Sequence, residues 1–135
     1  MKEMTLEAKI ENIPRVTEFV DEQLEALDCP MKAQMQIDVA IDELFGNICH
    51  YAYAPGTGDA TVGIGFDEET RCVSLVFSDR GVPFDPLAKM DPDVSIPAGE
   101  REIGGLGIFL VKKTMDSLEY RYEDGKNVLT IKKKI

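Results

Sequence analysis

One run of apolar residues constrains this chain more than any other feature. Ile37, Ala40, Ile41, Leu44, Phe45, Ile48, Cys49 and Ala52 recur at i, i+3, i+4, i+7 and i+8, the spacing that gathers side chains into one stripe along a helix. Burying each large member contributes about 1.5–3 kcal/mol before entropy is subtracted, so the stripe must meet a second layer. Glu43 and Asn47 stand four residues apart on one margin of it, neither in the core nor on the solvated face. A helix lines the wall of a pocket along such a margin. There a glutamate is suited to orient or deprotonate a nucleophile. An asparagine offers the neutral oxygen that Mg²⁺ accepts beside its waters. Two solvated helix residues are the plain alternative. His50, the single histidine, projects from the opposite side and is not expected to be catalytic, and Pro55-Gly56 ends the helix.

The partner layer reads as a sheet. Met4, Leu6, Ala8 and Ile10 alternate in a first strand running from Met4 to Ile10, followed by Asn12 as a helix N-cap with Pro14 in the first turn. Ile13, Val16, Val20, Leu24 and Leu27 then form an amphipathic helix, which Asp28-Cys29-Pro30 interrupts. Ala60, Val62, Ile64 and Phe66 alternate in a second strand, turned back at 67–70 into a third from Cys72. The stretch from Pro86 to Ile103 has no period and a length usually kept for function or disorder. Ile108, Leu110, Val111, Thr114, Met115 and Leu118 follow with helical spacing. Leu118–Glu123, an Asp124-Gly125 turn and Val128–Lys132 read as a closing hairpin. The order is an α/β (α+β) sandwich, helices on one face of a mostly antiparallel sheet, spanning 1–135 as a single domain.

Two further places carry chemistry. The third strand breaks at Asp79, and Gly81 with Pro83 and Pro86 shapes the turn beyond. An acid at a strand end beside a glycine offers an acceptor next to backbone that a flat ligand can approach. Gly104, Gly105 and Gly107 open the last helix, where backbone N–H groups and the helix dipole favour a phosphate. No Gly-Lys-Ser/Thr follows, so this is not a P-loop. Arg101, just before them, is placed to meet a terminal phosphate.

Composition narrows the partners. A net charge of −10 over 135 residues argues against nucleic acid, whose phosphates need a basic face. Cys29, Cys49 and Cys72 lack metal spacing and are expected as buried free thiols of a reducing compartment. The N-terminus is polar by its third residue and no apolar run is long enough to span a membrane, so a cytoplasmic protein without a signal peptide is expected.

Glu43-x-x-x-Asn47 on a helix, Asp79-Arg80-Gly81-Val82-Pro83-Phe84-Asp85-Pro86 after a strand, and Gly104-Gly105-Leu106-Gly107 before a helix occur in that order. Together they resemble the GHKL ATP-binding fold, and within it the short anti-sigma-factor serine/threonine kinases, over essentially the whole chain. The resemblance implies ATP and Mg²⁺ as ligands, with Asn47 on the metal and Glu43 as general base. It implies that Asp79 accepts from the adenine amino group, that Gly81 admits the base, and that Gly104, Gly105 and Gly107 hold phosphates with Arg101 balancing charge. The segment from Pro86 to Ile103 would be a lid. A small antagonist protein as substrate, a sigma factor as second partner and a homodimer are implied too. Two departures stand out: Tyr51-Ala52-Tyr53 replaces the His-Ala-Tyr often found after the Asn, and Gly125-Lys126-Asn127 replaces a Gly-Thr near adenine, with Asn127 the candidate to substitute for the missing Thr hydroxyl. A nucleotide-dependent adaptor and a plain ATPase are the rival readings, and Glu43 disfavours the adaptor, which needs no base.

Overall fold

The computed structural model describes residues 1–88 and 105–135, without the side chains of 105 and 106. In chain order these form β1 (Lys2–Glu7), α1 (Ile13–Ala26), α2 (Met31–Asn47), β2 (Asp59–Asp67), β3 (Cys72–Asp79), α3 (Gly105–Thr114), β4 (Ser117–Glu123) and β5 (Lys126–Lys134). The strands build one sheet in the order β1-β2-β3-β5-β4. Every pairing is antiparallel, so the sheet has no mixed portion.

Strand alternation decides which side is covered. Val62 and Ile64 of β2, Val73, Leu75 and Phe77 of β3, and Leu129 and Ile131 of β5 are buried against Val16, Val20 and Leu24 of α1 and Ile37, Ile41, Leu44 and Phe45 of α2. Between them, Thr61, Ser74, Ser78 and Thr130 lie on the other face and are half-buried. This places β3 at the centre of the sheet, its C-terminal end pointing Asp79 under the last turn of α2. No helix among the described residues is long and apolar enough to cross a membrane.

Several expectations need correction. β1 stops at Glu7 rather than running to Ile10: Ala8 N–H makes one last bond in the β1–β2 register, to Gly58 O at 2.8 Å, before the chain winds into a 3-10 turn at Ile10–Asn12 that leaves Ile10 in solvent. Asn12 does not cap α1 with its side chain. Its backbone is already helical, and its Nδ2 donates back to Glu7 O at 2.7 Å, tying the turn to the strand end. Leu110 faces outward, while Ile108, Val111 and Met115 carry the apolar side of α3 and the turn after it. The three thiols are free but half-buried rather than fully enclosed. Burial still pushes Cys49 up to about 11, keeping it a thiol. At the closing turn, Asp124 and Gly125 both take positive φ, 54° and 74°, as the tight hairpin requires.

The α1–α2 packing contains an acid pair that sequence patterning did not reveal. Asp21 and Asp38 each bring a buried Oδ1 with no hydrogen-bond donor to the junction, an arrangement that one shared proton satisfies. Burial, then the hydrogen bond and charge of Asp21, push the Asp38 carboxyl up to about 7. Because the folded value lies above the unfolded one of about 3.9, this stability is complete below pH ~4 and lost as pH rises through ~7. The melting temperature is therefore expected to fall by several degrees from about pH 5 to 8. Asp38→Asn should flatten that slope, and equal slopes in thermal melts of both proteins would dismiss the shared proton.

Candidate functional site

Asp79 is the last residue of β3 and is buried. Its Oδ1 accepts from Gly81 N–H at 2.8 Å and from Asn127 Nδ2 at 2.9 Å. The first bond closes an Asx turn, the local reason the strand ends on an aspartate. The second crosses to β5, where Asn127 is the register partner of Asp79.

Asp79 stands at the back of a cleft walled by Leu44, Asn47, Ile48 and Ala52 from α2 and the turn after it. Phe77, Tyr120 and Leu129 come from the sheet, and Phe84 and Pro86 from the connection that follows β3. It is apolar apart from Asn47, Asp79, Asn127 and the Tyr120 hydroxyl. At about 30 Å³ it is narrow, room for about two water molecules. Phe84 stacks on the exposed Tyr51 at 4.9 Å between ring centroids, an aromatic clasp over the Phe84–Pro86 side.

The turn after α2 is π-helical from Ile48 to Ala52. Its wider winding delivers Ala52 O to Val82 N–H at 2.9 Å. Gly81 makes that approach possible: a Cβ there would run into the Ala52 backbone. The hydroxyl of the next residue, Tyr53, accepts from Arg80 N–H at 2.8 Å and donates to Asp59 O at 2.6 Å. Tyr51, Ala52 and Tyr53, the segment that departs from the expected pattern, thus hold the Asp79 turn from one side.

α2 links this cleft to the glycine-rich helix start. Asn47, its last residue, lines the cleft. Glu43 lies one turn earlier, about 6 Å along the axis, with its carboxylate against Gly107 of α3, where a Cβ would overlap it. Glu43, Asn47, Asp79, Gly81 and Gly107 are therefore brought together along one side of α2, and Gly105 begins α3. Arg101, Gly104 and all but the first turn (Pro86–Ala88) of the expected lid lie outside the described residues.

Sequence reading missed the wall behind Asp79. Asn127 Nδ2 also donates to Val82 O at 2.8 Å, and its Oδ1 accepts from Phe84 N–H at 3.0 Å and from Tyr120 OH at 2.5 Å. Burial pushes the Tyr120 hydroxyl up, as suits a donor. The available signal was the alternation of β4 and β5, which turns Tyr120 and Asn127 to the face of Asp79.

Comparison with known proteins bears on the family of this fold. The profile of the histidine kinase-like ATPase domain matches residues 6–133. The sequence is 29% identical over 100 residues to serine/threonine-protein kinase BtrW of Bordetella bronchiseptica, covering 74% of this chain and 70% of that protein. It is 31% identical over 98 residues to serine-protein kinase RsbW of Bacillus cereus, covering 70% of this chain. A Bacillus anthracis RsbW matches equally, and the match spans 60% of the length of either RsbW protein.

Proposed function

The chain belongs to the histidine kinase-like ATPase family, and from that footing we propose that it is a cytoplasmic, Mg·ATP-dependent serine/threonine protein kinase acting on a small anti-sigma antagonist. A sigma factor as second partner and a homodimer belong to the same proposal, drawn from the likeness to the RsbW and BtrW kinases. The observation that carries it is the reach of α2, which sets Asn47 in the Asp79 cleft and Glu43 against the glycine-rich start of α3.

Roles follow from placement. Oδ2 of Asp79, the oxygen left by the Gly81 and Asn127 bonds, accepts from the adenine 6-amino group. Gly105 and Gly107, with Gly104 before them, let backbone N–H groups and the α3 dipole meet the phosphates. Asn47, which lines the cleft, would hold Mg²⁺ through its amide oxygen, a neutral donor that fits an ion keeping several waters and taking phosphate oxygens. When bound, that ion offsets charge on the β- and γ-phosphates. Glu43 takes the proton of the attacking hydroxyl as its oxygen bonds to the γ-phosphorus and the bond to ADP breaks. Arg101 balances the charge that develops on the γ-phosphate oxygens.

Nucleotide binding tests the reading directly. Mg·ATP at a hundredfold its Kd is expected to stabilise the protein by about 2.7 kcal/mol, a shift of several degrees in Tm. Asp79→Asn should abolish the shift, because the amide no longer offers a pure acceptor. An unchanged shift in that variant, followed by differential scanning fluorimetry, removes Asp79 from the site. Radiolabel passing from ATP to a partner protein, rather than to water, separates the kinase from an ATPase.

A further inference from the structure

We propose that Asn127 is a positioning residue that sets the base specificity of the cleft, acting through Asp79; this rests on the ATP-site reading above. Its side-chain amide is saturated. Nδ2 gives both protons, to Asp79 Oδ1 and Val82 O, and Oδ1 receives two, from Phe84 N–H and Tyr120 OH. Only one orientation works: a flipped amide would set oxygen against Asp79 Oδ1 and Val82 O, and NH₂ against the Phe84 N–H. Asn127 therefore has no group left to offer a base and does not stand in for a ligand-facing hydroxyl.

What it controls is which part of Asp79 remains. With Oδ1 filled by Gly81 N–H and Asn127 Nδ2, Oδ2 is the acceptor left among the described residues. An acceptor demands a donor from the ligand, which a 6-amino purine supplies and a 6-oxo purine does not. The bonds to Val82 O and Phe84 N–H fix the loop that walls the same edge, so one amide sets both the acceptor and the slot beside it.

Asn127→Asp keeps the shape and the two bonds received from Phe84 and Tyr120, but sets a carboxylate against Asp79 Oδ1 and Val82 O. Two carboxyl groups sharing that space retain one proton, and when Asp79 Oδ2 carries it the cleft gains a donor that an oxo edge accepts. The experiment is calorimetric titration of Mg·ATP and Mg·ITP, in which oxo replaces amino at position 6 and N1 gains a proton. Wild type is expected to prefer ATP by about a hundredfold, and Asn127→Asp to bring the two within a few-fold. Tyr120→Phe, which removes one bond to Asn127 while keeping the ring in the cleft wall, should lower the ratio severalfold and serves if the buried acid prevents folding. A purely structural role would change affinity for both nucleotides and leave their ratio alone. Wild type that prefers ATP, with variants that keep the same ratio, overturns the inference. Wild type that binds neither nucleotide, or both alike, removes the ATP-site reading itself.

Discussion

Glu43→Gln is expected to slow phosphoryl transfer by about a hundred- to a thousandfold while leaving Mg·ATP affinity within a few-fold of wild type. The glutamine keeps the length and shape of the side chain that packs on Gly107 of α3, so the approach of the two helices is preserved. What it removes is the ability to accept the hydroxyl proton. A loss of that size corresponds to about 3–4 kcal/mol of barrier, in the lower half of the general-base range because phosphoryl transfer depends mainly on positioning and charge. Single-turnover transfer measured beside an ATP titration separates the two effects. A variant that turns over like wild type removes the base from Glu43, and most of the case for an enzyme goes with it.

Gly81→Ala is expected to cost about 3 kcal/mol of stability, roughly 10 °C in Tm for a chain of this size. The added methyl meets the Ala52 backbone, not a side chain able to swing aside, and relieving the clash breaks the bond from Val82 N–H to Ala52 O. Gly46, buried but with open space where a Cβ would stand, is the control. Gly46→Ala in α2 should be neutral or stabilising by up to about 1 kcal/mol. Urea unfolding with an unchanged m-value reads both. If Gly81→Ala unfolds at the wild-type midpoint, the π-helical turn yields easily and its contact with the Asp79 loop is not a constraint.

Local pattern carried much of this architecture. The helical stripe from Ile37, the alternation through β2 and β3, and the abrupt stop at Asp79 are each visible within a dozen residues, because burial periodicity is a local property. Pairings between distant segments were not visible. Where β1 ends depends on β2, far along the chain: Gly58, just ahead of β2, gives Ala8 its last bond in register, and no β2 residue precedes it to pair with Ile10. Gly81 reads from sequence as space for a ligand, whereas its missing side chain is first needed for the Ala52 backbone. Asp21 and Asp38 look like ordinary solvated acids of two amphipathic helices until the helices cross and bury one oxygen of each. The stripe margin did put Asn47 on a pocket wall, with Glu43 on the same edge one turn back against Gly107, since helix phase is enough to say which side chains share an edge.

The register of β3 with β5 also governs the order in which the molecule can be assembled. Asp79 and Asn127 are 48 positions apart, with α3 and the whole of β4 between them in the chain. Local helix and hairpin contacts form early, while a pairing across so long a loop waits on chain closure. Until β5 docks, the Asp79 carboxylate has only the short Asx bond to Gly81, and Val82 and Phe84 lack the Asn127 amide that ties them to it. Every motif that makes the chain recognisable lies before residue 108, yet the cleft they mark is completed by a strand that follows them all.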